Sequence, residues 1–182
     1  MHFASIIHYI CSLAFCKYLN TKKMNTIQID LQELKKENWS TEELANAETV
    51  VDFVQNLMND HNFDYVRKRF GKSNYKQHNQ SMVDGLEGVL EVVSNFAKRY
   101  PDYTYDVKHI YVDGDYVTLH SHATNNKKHR GNPQKGLNIM DTWKVENGEL
   151  TEHWDAVQPI HGSMRFLFWM IGGKFRNKNT YF

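Results

Sequence analysis

Leu137-Asn138-Ile139-Met140-Asp141-Thr142-Trp143-Lys144-Val145-Glu146-Asn147-Gly148-Glu149-Leu150-Thr151-Glu152-His153-Trp154-Asp155-Ala156-Val157 reads as two strands, Leu137 to Val145 and Glu149 to Val157, folded back at Asn147-Gly148. Asn-Gly between two β-rich runs is a type I′ hairpin signal, because both turn residues must take positive φ. Plain pairing across that turn sets Val145 opposite Leu150, Trp143 opposite Glu152, Asp141 opposite Trp154 and Ile139 opposite Ala156. Since strand side chains alternate, Leu137, Ile139, Asp141, Trp143 and Val145 share one face, apolar except for Asp141 and the facing Glu152. The same register turns His153 and Asp155 to the other face with Met140 and Thr142. A β-bulge near Trp154 would re-aim one of them.

Upstream, Tyr103 to Val112 and Asp115 to Thr124 form a second aromatic and β-branched pair around Asp113-Gly114. This register places His120 opposite Val107 and His122 opposite Tyr105, both on one face. The segment between the hairpins, Asn125 to Gly136, is polar and basic and reads as an exposed loop. Before the strands come three helical patterns. Ser40 is a candidate N-cap with Glu43 in capping-box position, followed by an apolar stripe of Val50, Val51, Val54, Leu57 and Met58. Phe63, Val66 and Phe70 repeat at helical spacing up to Gly71, and Leu86, Val89, Leu90, Val93, Phe96 and Ala97 make a third stripe ended by Pro101. Lys72 to Asp84 breaks the period and reads as a loop or short strand entering the pocket region. Helices followed by an antiparallel run argue an α+β fold.

The 182 residues suffice for one domain, and 41% hydrophobic with 24% charged residues excludes a disordered chain. A net charge of +1 offers no footprint for nucleic acid or a membrane surface. Cys11 and Cys16 both precede the domain, so no disulfide framework or Cys-based zinc site supports it. The chain divides into an N-terminal arm over 1–44, a domain over 45–160 and an apolar then basic tail over 161–182. Phe3 to Leu19 is interrupted by His8 and Lys17 and is too short for a membrane span. Residues 1–23 admit three readings: an extension ahead of a start at Met24, a targeting segment, or a helix of its own. The expected location is cytoplasmic, or exported if 1–23 is a signal segment. In the tail, Met164 and Phe166 to Ile171 form an apolar run suited to covering a partner subunit.

Asp141 is the chemical centre of this reading. A carboxyl among apolar neighbours is desolvated, which raises its pKa and suits it to move protons; alternatively a nearby Tyr, Trp or backbone N–H simply satisfies it. His120 and His122 could ligate metal with a third group from His78, Asp141 or His153. Hydrogen bonding or acid/base work in a polar pocket fits them better, and no metal is expected.

Tyr75-Lys76-Gln77-His78-Asn79, Asp84-Gly85, Asp113 to Val117, His120-Ser121-His122, Asp141 to Gly148 and Glu152 to Pro159, in that order and spacing, resemble the SnoaL-like polyketide-cyclase family of the nuclear-transport-factor-2-like superfamily. The branch most similar is that of SnoaL-like aldol-condensation enzymes, and the resemblance spans about Ala45 to Pro159. It implies a cone-shaped α+β barrel, N-terminal helices packed on a curved, mostly antiparallel sheet, often a homodimer through that sheet. It also implies an aspartate at the Asp141 position acting as acid/base on a carbonyl compound without metal or cofactor. The branch's histidines match His78, His120, His122 and His153. Gln80 stands where Pro often follows His-Asn. The resulting expectation is acid/base chemistry of cyclase, lyase or isomerase type by Asp141 with His120, His122 and His78. Trp143, Trp154, Tyr105, His153, Asp155 and Glu152 would surround a small hydrophobic or carbonyl-bearing ligand. The alternative is a non-catalytic ligand binder or dimeric interaction protein on the same fold.

Overall fold

The structure is a computed structural model describing residues 27–160, 162–174 and 181–182. The three readings of residues 1–23 lie outside the described residues. Helices α1 (Leu31–Leu34), α2 (Thr41–Val54), α3 (Phe63–Phe70) and α4 (Leu86–Arg99) precede most of the sheet. Strands β1 (Lys76–Gln77), β2 (Thr104–Asp113), β3 (Tyr116–Thr124), β4 (Leu137–Glu146) and β5 (Glu149–Pro159) form it, and α5 (Gly162–Met170) follows. The sheet order is β1-β5-β4-β3-β2, antiparallel except that β1 runs parallel to β5. This is the α+β cone the sequence leads one to expect.

Ser40 caps α2 through a complete capping box: its Oγ accepts the Glu43 N–H at 3.1 Å, and Glu43 accepts the Ser40 N–H at 2.8 Å. The buried faces of α2 and α4, including Val50, Phe53, Val54, Val89, Leu90 and Val93, join Leu119, Ile139, Trp143 and Leu150 of the sheet in one core. α2 runs into a π-helical turn, Gln55–Asn59. That turn delivers Asn59 to β2, where its amide donates to the Tyr105 carbonyl at 3.0 Å and accepts the Tyr105 N–H at 2.7 Å. A buried side chain thus continues the ladder at the sheet edge, fixing Tyr105 where its ring faces inward.

Asn147 and Gly148 both have positive φ, 53° and 73°, as a type I′ turn requires. Val145 pairs with Leu150 as expected, but then Lys144 pairs with Glu152, leaving Thr151 as an extra residue. This bulge overturns the plain register. Trp143 faces His153 rather than Glu152, Asp141 faces Asp155 rather than Trp154, and Ile139 faces Val157 rather than Ala156. The bulge lies at Thr151, not near Trp154, and it turns both His153 and Asp155 inward.

The first hairpin is corrected too. Asp113 pairs with Tyr116, so the connection is Gly114-Asp115 rather than Asp113-Gly114. Asn46 of α2 donates to the Gly114 carbonyl at 3.1 Å, and the Asp115 carbonyl accepts the Val145 N–H at 2.8 Å, holding the turn one residue further on. A second irregularity at Lys108 then sets His120 opposite His109 and His122 opposite Asp106, not opposite Val107 and Tyr105. In the tail, α5 leaves Phe166, Leu167, Trp169 and Met170 exposed. Among the described residues no helix is long and apolar enough to cross a membrane.

Candidate active site

A cavity of about 200 Å³ lies between the helices and the inner sheet face. Phe53, Leu57 and Val93 supply apolar wall, while Tyr105, Trp143, Asp141, His153, Asp155, Gln77 and Asn79 bring the polar groups. Asp141 and His153 are 2% and 6% exposed, so their interaction is screened little by solvent. His153 Nε2 sits 3.2 Å from Asp141 Oδ1, and its ring stacks on Trp143 with centroids 4.7 Å apart.

The far side of the His153 ring is fixed by β1. Gln77 Oε1 accepts the Asn79 backbone N–H at 2.8 Å. A backbone N–H can only donate, so the amide oxygen, not the nitrogen, stands at this position. His153 Nδ1, 3.1 Å from that same oxygen, must therefore carry a proton. With Nδ1 committed, the Nε2 to Oδ1 contact holds one shared proton, either as imidazolium with carboxylate or as imidazole with carboxylic acid. Gln77 is thus the residue that sets the ring's proton inventory. In Gln77→Leu the constraint is gone, and the ring is free to place its neutral-state proton on Nε2 and donate to Asp141. Two-dimensional ¹H–¹⁵N spectra of imidazole-labelled protein, with His153 assigned by its loss in His153→Phe, should show the protonated nitrogen of the neutral ring move from Nδ1 to Nε2. An unchanged Nδ1–H signature in Gln77→Leu would remove Gln77 from this role.

Burial pushes the Asp141 carboxyl above its ordinary 3.8; His153 opposes the shift and Asp155 adds to it. Asp155 accepts both of its contacts from Asn79 Nδ2, at 2.9 and 2.6 Å, while Asn79 Oδ1 accepts the Ser81 backbone N–H at 2.9 Å. Asp141 Oδ2 is buried and has no hydrogen-bond partner among the described residues, while the buried Trp143 indole N–H is directed at the Tyr75 hydroxyl and opposes the upward push on that phenol. Burial pushes the Tyr75, Tyr103 and Tyr105 phenols upward, so all three stay protonated at neutral pH. The cavity wall therefore combines a carboxyl oxygen without a bonding partner with O–H and N–H donors, the parts needed to remove a proton and stabilise the charge left behind.

The expected site residues divide between the two faces. Asp141, Trp143, Tyr105, His153 and Asp155 line the cavity. Glu152 and Trp154 lie on the outer face, where Glu152 pairs with His78 at 2.9 Å and Trp154 stacks on the His78 ring at 4.6 Å. His120 and His122 are also outside, bonded to Asn138 Oδ1 at 2.8 Å and the Lys135 carbonyl at 2.7 Å. The inner cavity thus brings none of His78, His120, His122, Glu152 or Trp154 together with Asp141. Among the described residues no three His, Cys, Asp or Glu side chains gather in a metal-binding group. In the sequence Gln77, Asn79 and Tyr75 stand only as pieces of a motif; the parallel pairing of β1 with β5 is what gives Gln77 and Asn79 their contacts.

The family model for SnoaL-like polyketide cyclase matches residues 48–161, more than half the chain. The chain belongs to the SnoaL-like polyketide cyclase family. In fold it is similar to a candidate polyketide cyclase from Bacillus cereus ATCC 10987, at TM-score 0.55 and 19% identity over 75% of this chain and 87% of that one. A candidate SnoaL-like polyketide cyclase from Jannaschia sp. CCS1 superposes at TM-score 0.54, 15% identical over 73% of this chain and 96% of that one. AclR, a candidate hydroxylase from Streptomyces galilaeus, gives 0.52 at 15% identity over 71% and 97%. A search of curated proteins finds no match. The family model and the cavity agree on a small-molecule pocket, and the reaction must be argued from the pocket itself.

Proposed function

We propose that this SnoaL-like protein abstracts a proton next to a carbonyl, using the Asp141–His153 pair as its base without a cofactor. The observation that carries this reading is the buried Asp141 carboxyl, one oxygen on His153 and the other unpartnered, in a cavity whose wall also holds the Tyr75 and Trp143 donors. Asp141 Oδ2 takes the proton from the carbon α to the carbonyl, and the C–H electron pair becomes the enolate. Charge on the enolate oxygen is met by an O–H or N–H donor of Tyr75 or Trp143. The proton on Asp141 then returns to a carbon, as in isomerisation. In aldol closure the enolate carbon instead bonds to a second carbonyl, whose oxygen receives the proton.

The reading is tested without the physiological substrate by deuterium exchange at the α-carbon of a panel of alkyl and aryl ketones and lactones in D₂O. Enzyme-dependent exchange is expected, rising with pH as Asp141 ionises. Because burial raises that ionisation, the limb should centre above the 3.8 of an ordinary aspartate. Saturable binding of these compounds with no exchange in any of them would leave the fold as a non-catalytic binder.

A further inference from the structure

We propose that the molecule filling the Asp141 cavity is amphiphilic and carries a carboxylate or phosphate end, held in a second, basic cavity beside Lys135 and His129; this rests on the small-molecule reading above. The second cavity measures about 630 Å³. Phe96, Tyr103 and Leu137 line both spaces, so the two cavities adjoin at these three side chains. The two walls carry opposite charge. The inner one holds Asp141 and Asp155 and, among the described residues, no Lys or Arg, which disfavours an anion there. The outer one holds Lys135 and His129 and, among the described residues, no Asp or Glu.

The surroundings extend that sign. The loop Asn125 to Gly136 contains Lys127, Lys128, Arg130 and Lys135 without one acidic residue. Arg99 lies with its guanidinium 5.5 Å from the ring centre of Tyr100, which lines the cavity. Arg130 Nη2 donates to the Asp102 backbone carbonyl at 3.2 Å. The backbone of the loop is held rather than loose. His122 Nε2–H donates to the Lys135 carbonyl at 2.7 Å, and the Gly136 carbonyl accepts the Ile160 N–H at 3.1 Å. Gly136 sits at φ +90°, where a Cβ would come within 2.2 Å of the Ala123 carbonyl oxygen. The outer-face His122 therefore has a structural use: it fixes the backbone that presents Lys135. A cation carried on a fixed backbone, beside an apolar wall shared with the inner cavity, selects a ligand that is anionic at one end and apolar beyond it.

Two dyes that differ by one sulfonate test this: 1-anilinonaphthalene-8-sulfonate and N-phenyl-1-naphthylamine. At low salt the sulfonate should bind about tenfold more tightly, and high salt should close the gap by screening. Lys135→Glu should abolish the preference while leaving the neutral dye's Kd unchanged; a dye held elsewhere on the surface would ignore Lys135. Dodecanoate and dodecyl phosphate should both displace the sulfonate dye better than dodecanol, and their order identifies the preferred end group. Equal Kd values for the two dyes, or equal weakening of both by Lys135→Glu, would overturn the anionic end. If that happens while ketone exchange persists, the acid/base reading stands alone. If neither dye binds, both the anionic end and an accessible cavity are lost.

Discussion

Asp141→Asn is expected to lower ketone α-exchange by about 10³-fold, the range associated with losing a positioned base, and to raise Tm at neutral pH. The two effects share one cause. Burial raises the Asp141 pKa in the folded chain above its ordinary 3.8. The protonated form therefore suits the fold better, and Asp141 imposes a penalty that grows as pH rises from the unfolded pKa through the folded one. Above that window the penalty is complete. Asparagine is neutral at every pH and carries none of it. Its amide N–H can also donate to His153 Nε2 while the ring's Nδ1–H still donates to Gln77 Oε1, so the geometry survives. Below the unfolded pKa the two proteins should melt alike. A variant that loses exchange and also loses stability would mean that Asp141 is a structural anchor; one that keeps exchange would end its assignment as the base.

The sequence reveals the fold through local signals, each with its own physical origin. Asn147-Gly148 needs two positive φ values, and the capping box at Ser40 satisfies donors that any helix start leaves open. The apolar periods on α2 and α4 follow from burial on one face. The site was legible only in part, because it depends on parity. One additional residue at Thr151 reverses which side chains of β5 face inward, and Leu150-Thr151-Glu152 carries no Gly, Pro or other local backbone signal of a bulge. Asp141 precedes the turn and keeps its predicted face, whereas Glu152, Trp154, His153 and Asp155 follow the bulge and all exchange faces. The one available hint was chemical. A continuous register would have set Glu152 against the core indole of Trp143, an unfavourable burial that the bulge avoids by placing Glu152 outside with His78. Gln77 was less accessible still. Its role follows from two hydrogen bonds to one oxygen, and from a two-residue parallel pairing across 76 residues of chain.

His153→Phe should reduce exchange at neutral pH by about 10²-fold and move the pH–rate limb upward. Phenylalanine retains a planar ring between Trp143 and Tyr75, whose centroids lie 4.7 and 6.4 Å from that of His153, so the wall keeps its shape. What is lost is the group that opposes the burial shift on Asp141: the hydrogen bond at 3.2 Å and the charge of the imidazolium. Both hold the carboxyl below where burial alone would put it, so without them Asp141 stays protonated to higher pH and cannot accept a proton. Since the base itself is intact, activity should recover as pH rises, and the gap to wild type should narrow. Asp141→Asn has no carboxyl to ionise and should show no such recovery. The double variant should be no slower than Asp141→Asn alone, because the two residues act through a single proton. A purely structural histidine would instead give a pH-independent loss, and its effect would add to that of Asp141→Asn. The slope of exchange against pH in these three proteins therefore tests whether Asp141 and His153 work as one acid/base unit.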